Sequence, residues 1–210
     1  TLLTYHILKN AGLNVGLAGN VGNSFALQVA EQNFDIYVLE ISSFMLDTMF
    51  EFKADVAILT NITPDHLDRY EYNFQNYVNS KLRIVNNQTE NDIFIFCADD
   101  PVVMKELSER TIAAQLYPYT ISDKLPFGER GAYVNNDQLI IYINQYNTLT
   151  MKMTELALQG KHNLANSMAA GVAAMIFELR KESVRESLEN FENVEHRLEY
   201  VSKVNGVTFI

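Results

Sequence analysis

Ala54-Asp55-Val56-Ala57-Ile58-Leu59-Thr60 and the octet that follows it, Asn61-Ile62-Thr63-Pro64-Asp65-His66-Leu67-Asp68, decide the fold. The first segment is short, mostly apolar and bounded by polar residues, which is typical of a buried strand. The octet contains a histidine, a proline and two acids, so we expect it to form the loop at the carboxyl end of that strand. In parallel α/β sheets ligands bind at that end, which makes residues 61–68 the first candidate for a functional site.

Strands and helices alternate on both sides of this stretch. Apolar runs predict strands at 14–18, 35–41 and 93–96. The predicted helices are 1–11, 25–32, 74–87 and 101–110, with a further helix running from Ser42-Ser43 to about Glu51. Strands joined by helices of this length form right-handed crossovers and a parallel sheet that is covered on both faces. Glu40 and His66 would therefore lie on the same rim of the sheet.

Beyond Leu116 the pattern changes to shorter segments in which apolar and polar residues alternate. Such segments predict antiparallel hairpins, and we expect a small accessory sheet on the parallel core. The segments are 132–134, 139–143 and 149–153, with a turn at 135–137. The predicted fold class is thus α/β, a mostly parallel sheet flanked by helices, with a small antiparallel accessory sheet.

The last quarter of the chain returns to helices and ends in a hairpin pattern. A long helix is predicted after Gly160-Lys161-His162-Asn163, and a second one covers about 181–191. Residues 198–210 predict two strands that are joined at Asn205-Gly206, a favoured two-residue turn.

Composition excludes several classes of partner. The formal net charge is -10, whereas a nucleic-acid or anionic membrane surface needs a basic face, so we expect neither partner. Cys97 is the only cysteine, which rules out an intramolecular disulfide and a zinc site made of several thiolates and suits a reducing cytoplasm. No apolar run in the sequence approaches the roughly 18 to 20 residues of a membrane span.

Three side chains that could together bind a metal ion come after the predicted strands: Glu40, His66 and Lys81. On a shared rim, a carboxylate and an imidazole suit magnesium or manganese, with water completing the shell. A deprotonated lysine that captured carbon dioxide would become a carbamate, which is a metal-binding anion. The alternatives are that Glu40 caps a helix, that His66 is hydrogen-bonded within its loop and that Lys81 extends along an apolar face to reach water.

Five motifs in this order resemble those of the Mur ligase family. They are Glu40-Ile41-Ser42-Ser43-Phe44, the octet 61–68, Tyr77-x-x-x-Lys81, Gly160-Lys161-His162-Asn163-x-x-Asn166 and His196-Arg197. The resemblance covers nearly the whole chain and implies a P-loop NTPase-like central domain of an ATP-dependent ligase of peptidoglycan synthesis. The nearest member adds D-glutamate to UDP-N-acetylmuramoyl-L-alanine through an acyl phosphate, and we expect a monomer.

The resemblance also implies roles for the residues around the metal ions. Two magnesium ions are expected, one held by Glu40 near the ATP phosphates. His66 and a carbamylated Lys81 would hold the second ion, which faces the acyl phosphate. All three residues are therefore expected to take part in catalysis.

Further roles concern the substrate and the nucleotide. Asn20, Ser42 and Ser43 would line the muramoyl-peptide side of the site. Asn163 and Asn166 would approach the adenine, and Arg197 the ribose or a phosphate. A plain helix N-cap is the alternative for Asn163.

Two departures from the family pattern stand out. Met45 replaces the glutamine that normally contacts the muramoyl substrate, and the sequence has no G-x-x-x-x-G-K-[ST] phosphate loop. We therefore expect residues 1–193 to be a central domain without its phosphate loop and 194–210 to begin a truncated C-terminal domain. Such a piece alone should neither hydrolyse ATP nor ligate D-glutamate.

Two alternatives remain open from the sequence. One is another amide ligase of the same superfamily, either a different Mur ligase or a folylpolyglutamate synthase. The other is a non-catalytic nucleotide-binding module.

Overall fold

Strands and helices alternate through the first 119 residues of the computed structural model, which describes residues 1–126, 128, 130–192, 202–204 and 207–209. The predicted strands are confirmed to within about two residues at each end. They are β1 (Val15–Gly19), β2 (Ile36–Glu40), β3 (Val56–Leu59) and β4 (Ile93–Cys97). The helices among them are α1 (Leu2–Asn10), α2 (Phe25–Glu31), α3 (Ser43–Leu46), α4 (Phe74–Leu82) and α5 (Pro101–Glu109).

The parallel strands fall into two hydrogen-bonded groups. β1 and β2 pair with each other, with Val15 opposite Ile36 and Gly19 opposite Glu40. β3 and β4 pair in the same sense but belong to a larger sheet. Among the described strands β2 and β3 do not pair, so each presents one unpaired edge.

The larger sheet combines parallel and antiparallel strands in the order β3-β4-β5-β6-β7-β8. β5 (Gln115–Tyr119) is a third parallel strand, where the sequence predicted only short alternating segments. β6 (Gly131–Asn135), β7 (Gln138–Asn144) and β8 (Asn147–Lys152) form the predicted antiparallel hairpins. They join the parallel strands through the pair Tyr119 and Ala132, so the antiparallel part extends the same sheet.

The two faces of the large sheet carry separate cores. Phe94 and Phe96 of β4 point to one core, which packs against α4 and α5, while Ile95 and Cys97 point to the other. The second core is built on α6 (Lys161–Ile176), which contacts four strands of the sheet as well as α1 and α7 (Lys181–Glu189). This alternation is what a strand buried on both faces requires.

Three helices end earlier than the sequence predicts. α3 was expected to reach about Glu51 but ends at Leu46, where the Arg83 side chain donates a hydrogen bond to the Leu46 carbonyl (Nε to O, 2.8 Å). That carbonyl is satisfied without a further helical turn. α4 ends at Leu82 and tightens into a 3₁₀ turn, while α7 ends at Glu189.

The chain end is described only in part. β9 (Ser202–Val204) and β10 (Val207–Phe209) pair antiparallel, with Val207 opposite Val204, as the predicted hairpin requires. The turn residues Asn205 and Gly206, the domain boundary at 193/194 and the motif His196-Arg197 lie outside the described residues. Within the described part of the chain, no helix has the length and apolar content to span a membrane.

Candidate functional site

The carboxyl end of β2 is joined directly to the end of β1. The backbone N–H of Asn20 donates to the Glu40 carbonyl (2.9 Å), and Gly19 has a positive φ of 101°. A Cβ on Gly19 would lie 2.2 Å from the Glu40 oxygen, so only glycine allows this approach. Two predicted site residues, Asn20 and Glu40, are thereby brought together.

α3 begins three residues after Glu40, and the two predicted serines lie at its start. Ser42 is the N-cap residue, but its side chain makes no capping bond. Its Oγ is buried and has no hydrogen-bond partner in the described part of the molecule. Because buried hydroxyls are nearly always paired, this oxygen is available to a ligand. Ser43 is buried, and its carbonyl accepts a hydrogen bond from the Ser80 hydroxyl of α4 (2.7 Å).

The Asp100 carboxylate helps to fix the start of the octet after β3. Asp100 caps α5 by accepting from the N–H groups of Val102 and Val103, both at 2.9 Å. Its second oxygen accepts from the N–H of Ile62, also at 2.9 Å. Ile62 is only 2% exposed, so this carboxylate and the core together fix the start of the loop.

His66 lies at the tip of this loop in a left-handed conformation, with a φ of 50°. The neighbouring Asp65 accepts its backbone N–H (2.8 Å) and lies 3.5 Å from its Nε2. The imidazole makes an edge-to-face contact with Phe44 of α3, with ring centroids 6.2 Å apart. Since Phe44 follows Glu40 by four residues, this contact links the segments after β2 and β3.

Lys81 lies on α4 with its Nζ 5.2 Å from the centre of the Tyr77 ring. Burial lowers the pKa of the Lys81 amine, and the negative charge of Asp65 opposes this effect in part. Burial likewise raises the pKa of the Tyr77 hydroxyl, with further contributions from Asp65 and Tyr70. A neutral amine is therefore easier to reach at Lys81 than at an exposed lysine.

Asp65 is the residue whose role the sequence did not indicate. The sequence predicts only that the octet containing it forms a loop, and its carboxylate supports that loop by accepting the His66 N–H. It is also the charge that acts on Lys81. Its position next to His66 was the only available signal, since nothing in the spacing relates residue 65 to α4.

The groups at this edge have few partners of their own. Neither the Glu40 carboxylate nor the Lys81 amine makes a hydrogen bond or ion pair with another described residue. In the part of the chain that the structure describes, no three His, Cys, Asp or Glu side chains form a ready-made metal cluster. The Glu40 carboxylate offers oxygen ligands for magnesium as it stands, whereas a magnesium ion at His66 would need the oxygen ligands that a carbamate on Lys81 would add.

The predicted adenine residues lie on a different element. Asn163 and Asn166 are half-buried at the start of α6, one turn apart. The N-cap of α6 is Gly160, so the alternative that Asn163 is the cap is wrong; its Nδ2 donates to the Gln159 carbonyl (2.8 Å). Among the described residues, neither asparagine makes a hydrogen bond with Glu40, His66 or Lys81. Arg197 lies outside the described residues.

Comparison with known proteins identifies relatives along the whole chain. The family model for the Mur ligase middle domain matches residues 1–174. A Bacteroides fragilis protein named UDP-N-acetylmuramoylalanine--D-glutamate ligase is 51% identical over 212 aligned residues, which cover 100% of this chain and 46% of that protein. The chain therefore spans about half the length of the relatives that it matches.

Solved structures share the fold at much lower identity. One is a UDP-N-acetylmuramoyl-L-alanyl-D-glutamate--2,6-diaminopimelate ligase, with a TM-score of 0.70 and 17% identity over 97% of this chain and 46% of that one. Another is the MurF ligase of Thermotoga maritima in complex with ADP, with a TM-score of 0.65 and 18% identity over 96% of this chain and 47% of that one.

Proposed function

Because the chain belongs to the Mur ligase family, we propose that the protein containing it is an ATP-dependent ligase that joins D-glutamate to UDP-N-acetylmuramoyl-L-alanine. The substrates are those in the name of the Bacteroides fragilis relative. The structural observation that carries the proposal is the half-buried Lys81 amine, which has a lowered pKa and no carboxylate partner among the described residues, on the helix that follows the His66 loop.

The reaction must bring several anions together. ATP transfers its terminal phosphoryl group to the substrate carboxylate, and the amine of D-glutamate then displaces phosphate from the acyl phosphate. Each step places negative groups next to one another, so the site has to supply cations and fixed donors. The Ser42 hydroxyl at the start of α3, which is buried and has no partner among the described residues, would be one such donor.

The proposed metal ligands are the three side chains at the edge of β2 and β3. Glu40 would hold one magnesium ion, and His66 together with carbamylated Lys81 the second. The carbamate forms when the neutral Lys81 amine attacks carbon dioxide and releases a proton, so a lowered amine pKa favours it. Magnesium, when bound, neutralises phosphate charge. Asp65 would hold the His66 loop in its left-handed turn.

Substrate and nucleotide contacts complete the proposal. Asn20 and Ser42 would contact the muramoyl substrate, since they flank Glu40 and the Ser42 Oγ is buried without a partner in the described residues. Ser43 would support the same side of the site from beneath α3. The nucleotide would be contacted by Asn163, Asn166 and Arg197.

The proposal extends to the organisation of the protein. Residues 1–193 would form the middle domain, and a following domain would begin near residue 194. We infer a cytoplasmic monomer, for which the lone Cys97 is one supporting feature.

A ligase assay on the full-length protein tests the proposal. UDP-N-acetylmuramoyl-L-alanine and ATP are supplied with a panel of amino acids, and phosphate release and product mass are measured. We expect turnover with D-glutamate alone. Glu40→Gln should lower the rate about 10²- to 10³-fold, whereas Glu51→Gln, an exposed glutamate after α3, should leave it unchanged.

The same assay separates the alternatives. Turnover with a different amino acid would make the protein another amide ligase of the superfamily. Binding of ATP without turnover for any amino acid would favour a non-catalytic nucleotide-binding module.

A further inference from the structure

A polar groove of about 470 Å³ lies against α4, and no predicted site residue lines it. One wall is the helix row Asn76, Asn79 and Arg83. Arg69, from the 3₁₀ turn after the His66 loop, and Arg110, at the end of α5, complete it. The groove thus gathers three guanidinium groups from three separate elements.

The arginines of the groove differ in their partners. Arg110 is neutralised by Glu106, with its Nη2 2.7 Å from the carboxylate. Arg69 and Arg83 form no ion pair with any carboxylate in the described residues. The groove's own carboxylate, Asp47, accepts a hydrogen bond from the Tyr70 hydroxyl at 3.1 Å. Two guanidinium groups therefore face one carboxylate, on a chain whose formal net charge is -10.

The two unpaired guanidinium groups are nonetheless held in position. Arg69 lies 4.7 Å from the centre of the Phe44 ring, and Arg83 lies 5.3 Å from that of Phe50. Arg83 also donates from Nε to the Leu46 carbonyl, which leaves its two Nη groups without a protein acceptor in the described part of the chain. A guanidinium fixed on an aromatic ring loses little conformational freedom when it binds an anion.

We propose that this groove binds a small phosphate-bearing molecule through Arg69 and Arg83. Guanidinium forks match the spacing of phosphate oxygens and form charge-assisted, bidentate hydrogen bonds with them. The Asn86 amide, also in the lining, offers a further donor, and Asn76 keeps one amide N–H beyond the one that its Nδ2 donates to the Tyr70 carbonyl (3.5 Å). The lining of the groove does not include Glu40, His66 or Lys81, and the proposal does not depend on the proposed ligase activity.

The test uses the full-length protein labelled with ¹⁵N and inorganic phosphate as the probe. The Nε–H signals of individual arginines are followed by NMR, which locates binding and separates it from any nucleotide site. Assignments come from single Arg→Lys variants. Arg185, which pairs with Glu155 at 3.2 Å, is the matched control because its charge is already satisfied.

We expect the Arg69 and Arg83 signals to shift saturably with phosphate, and the shift to weaken as chloride is added. The Arg185 signal should stay in place. Arg83→Lys keeps the charge but loses the fork, so the affinity reported by Arg69 should fall up to about tenfold.

Several outcomes would overturn the proposal. They are the absence of a shift at Arg69 and Arg83, an equal shift at Arg185, and an affinity that Arg83→Lys leaves unchanged. Backbone amide signals of the variant are recorded alongside, and Arg69→Lys is the second variant if Arg83→Lys fails to fold.

Discussion

β2 and β4 are both parallel strands of five residues, yet they are buried to very different degrees. All five residues of β2 are half-buried, whereas four of the five in β4 are buried, and Phe94, Ile95 and Phe96 are 0% exposed. β4 has a neighbour on each side, while β2 pairs only with β1 among the described strands.

The buried strands of the large sheet stabilise the fold, whereas the less buried β2 carries a candidate site residue at its end. The large sheet and its two cores provide most of the buried apolar area, which is the main favourable contribution to folding. Glu40 ends β2 and His66 lies in the loop after β3, so both follow strands that have one unpaired edge among the described strands. Polar groups beside these strand ends keep bonding capacity: the buried Ser42 Oγ has no hydrogen-bond partner among the described residues.

The largest difference between β2 and β4 is expected when one side chain in each strand is truncated. In the 210-residue chain, Phe94→Ala should lower the free energy of unfolding by about 3–5 kcal/mol, because it empties a fully buried position. Val38→Ala in β2 should cost only about 1 kcal/mol, since that side chain is half-exposed. Urea denaturation measures both. Equal costs would show that β2 is as tightly packed as β4.

A smaller effect is expected at the junction of β1 and β2. Gly12 and Gly19 both have positive φ, but a Cβ on Gly12 meets nothing within 4 Å, whereas one on Gly19 meets the Glu40 carbonyl. Gly12→Ala should therefore cost about 1 kcal/mol of backbone strain. Gly19→Ala should cost at least about 1 kcal/mol more and should also lower ligase activity in the full-length protein. If the two substitutions lowered the free energy of unfolding equally, the close approach of β1 and β2 at Gly19 would be refuted.

The smallest effect concerns a buried carboxylate on α5. Burial raises the pKa of Glu106, but hydrogen bonds from Gln75 and Arg110 outweigh it, so the net pKa is lowered. A lowered folded pKa adds stability above the unfolded value of about 4.3, and this stability is lost as the pH falls through the folded value.

Glu106→Gln should therefore remove part of the loss of stability on acidification. The free energy of unfolding of both proteins is measured at neutral pH and below the unfolded pKa. If the variant loses as much stability on acidification as the parent chain does, Glu106 is not held in its charged form by these partners.

Much of the fold follows from local sequence signals. Apolar runs located β1 to β4, and the Asp99-Asp100-Pro101 segment located the cap and the first turn of α5. The turn predicted before β7 is present, with positive φ at Asn136 and Asp137. The predicted strand 35–41 likewise put Glu40 near a strand end, and the structure ends β2 at that residue. These features depend on residues close together in the chain.

The features that the sequence did not predict depend on distant partners. Gln115–Tyr119 contains Pro118, which lacks an N–H and argues against a central strand, yet it lies between β4 and β6. α3 stops where Arg83, 37 residues away, takes its last carbonyl. Likewise, the charge of Asp65 acts on Lys81 across two elements. No local pattern encodes such pairings.

We propose that Lys81 serves the reaction as an anion, its carbamate, rather than as a structural cation. The most direct test is the ligase rate of full-length Lys81→Ala with and without acetate, beside the unmodified protein under the same conditions. We predict a loss of about 10²- to 10³-fold that acetate partly restores, because a free carboxylate can replace the carbamate. Full activity without acetate, or a loss that acetate does not relieve at any concentration, would contradict the claim.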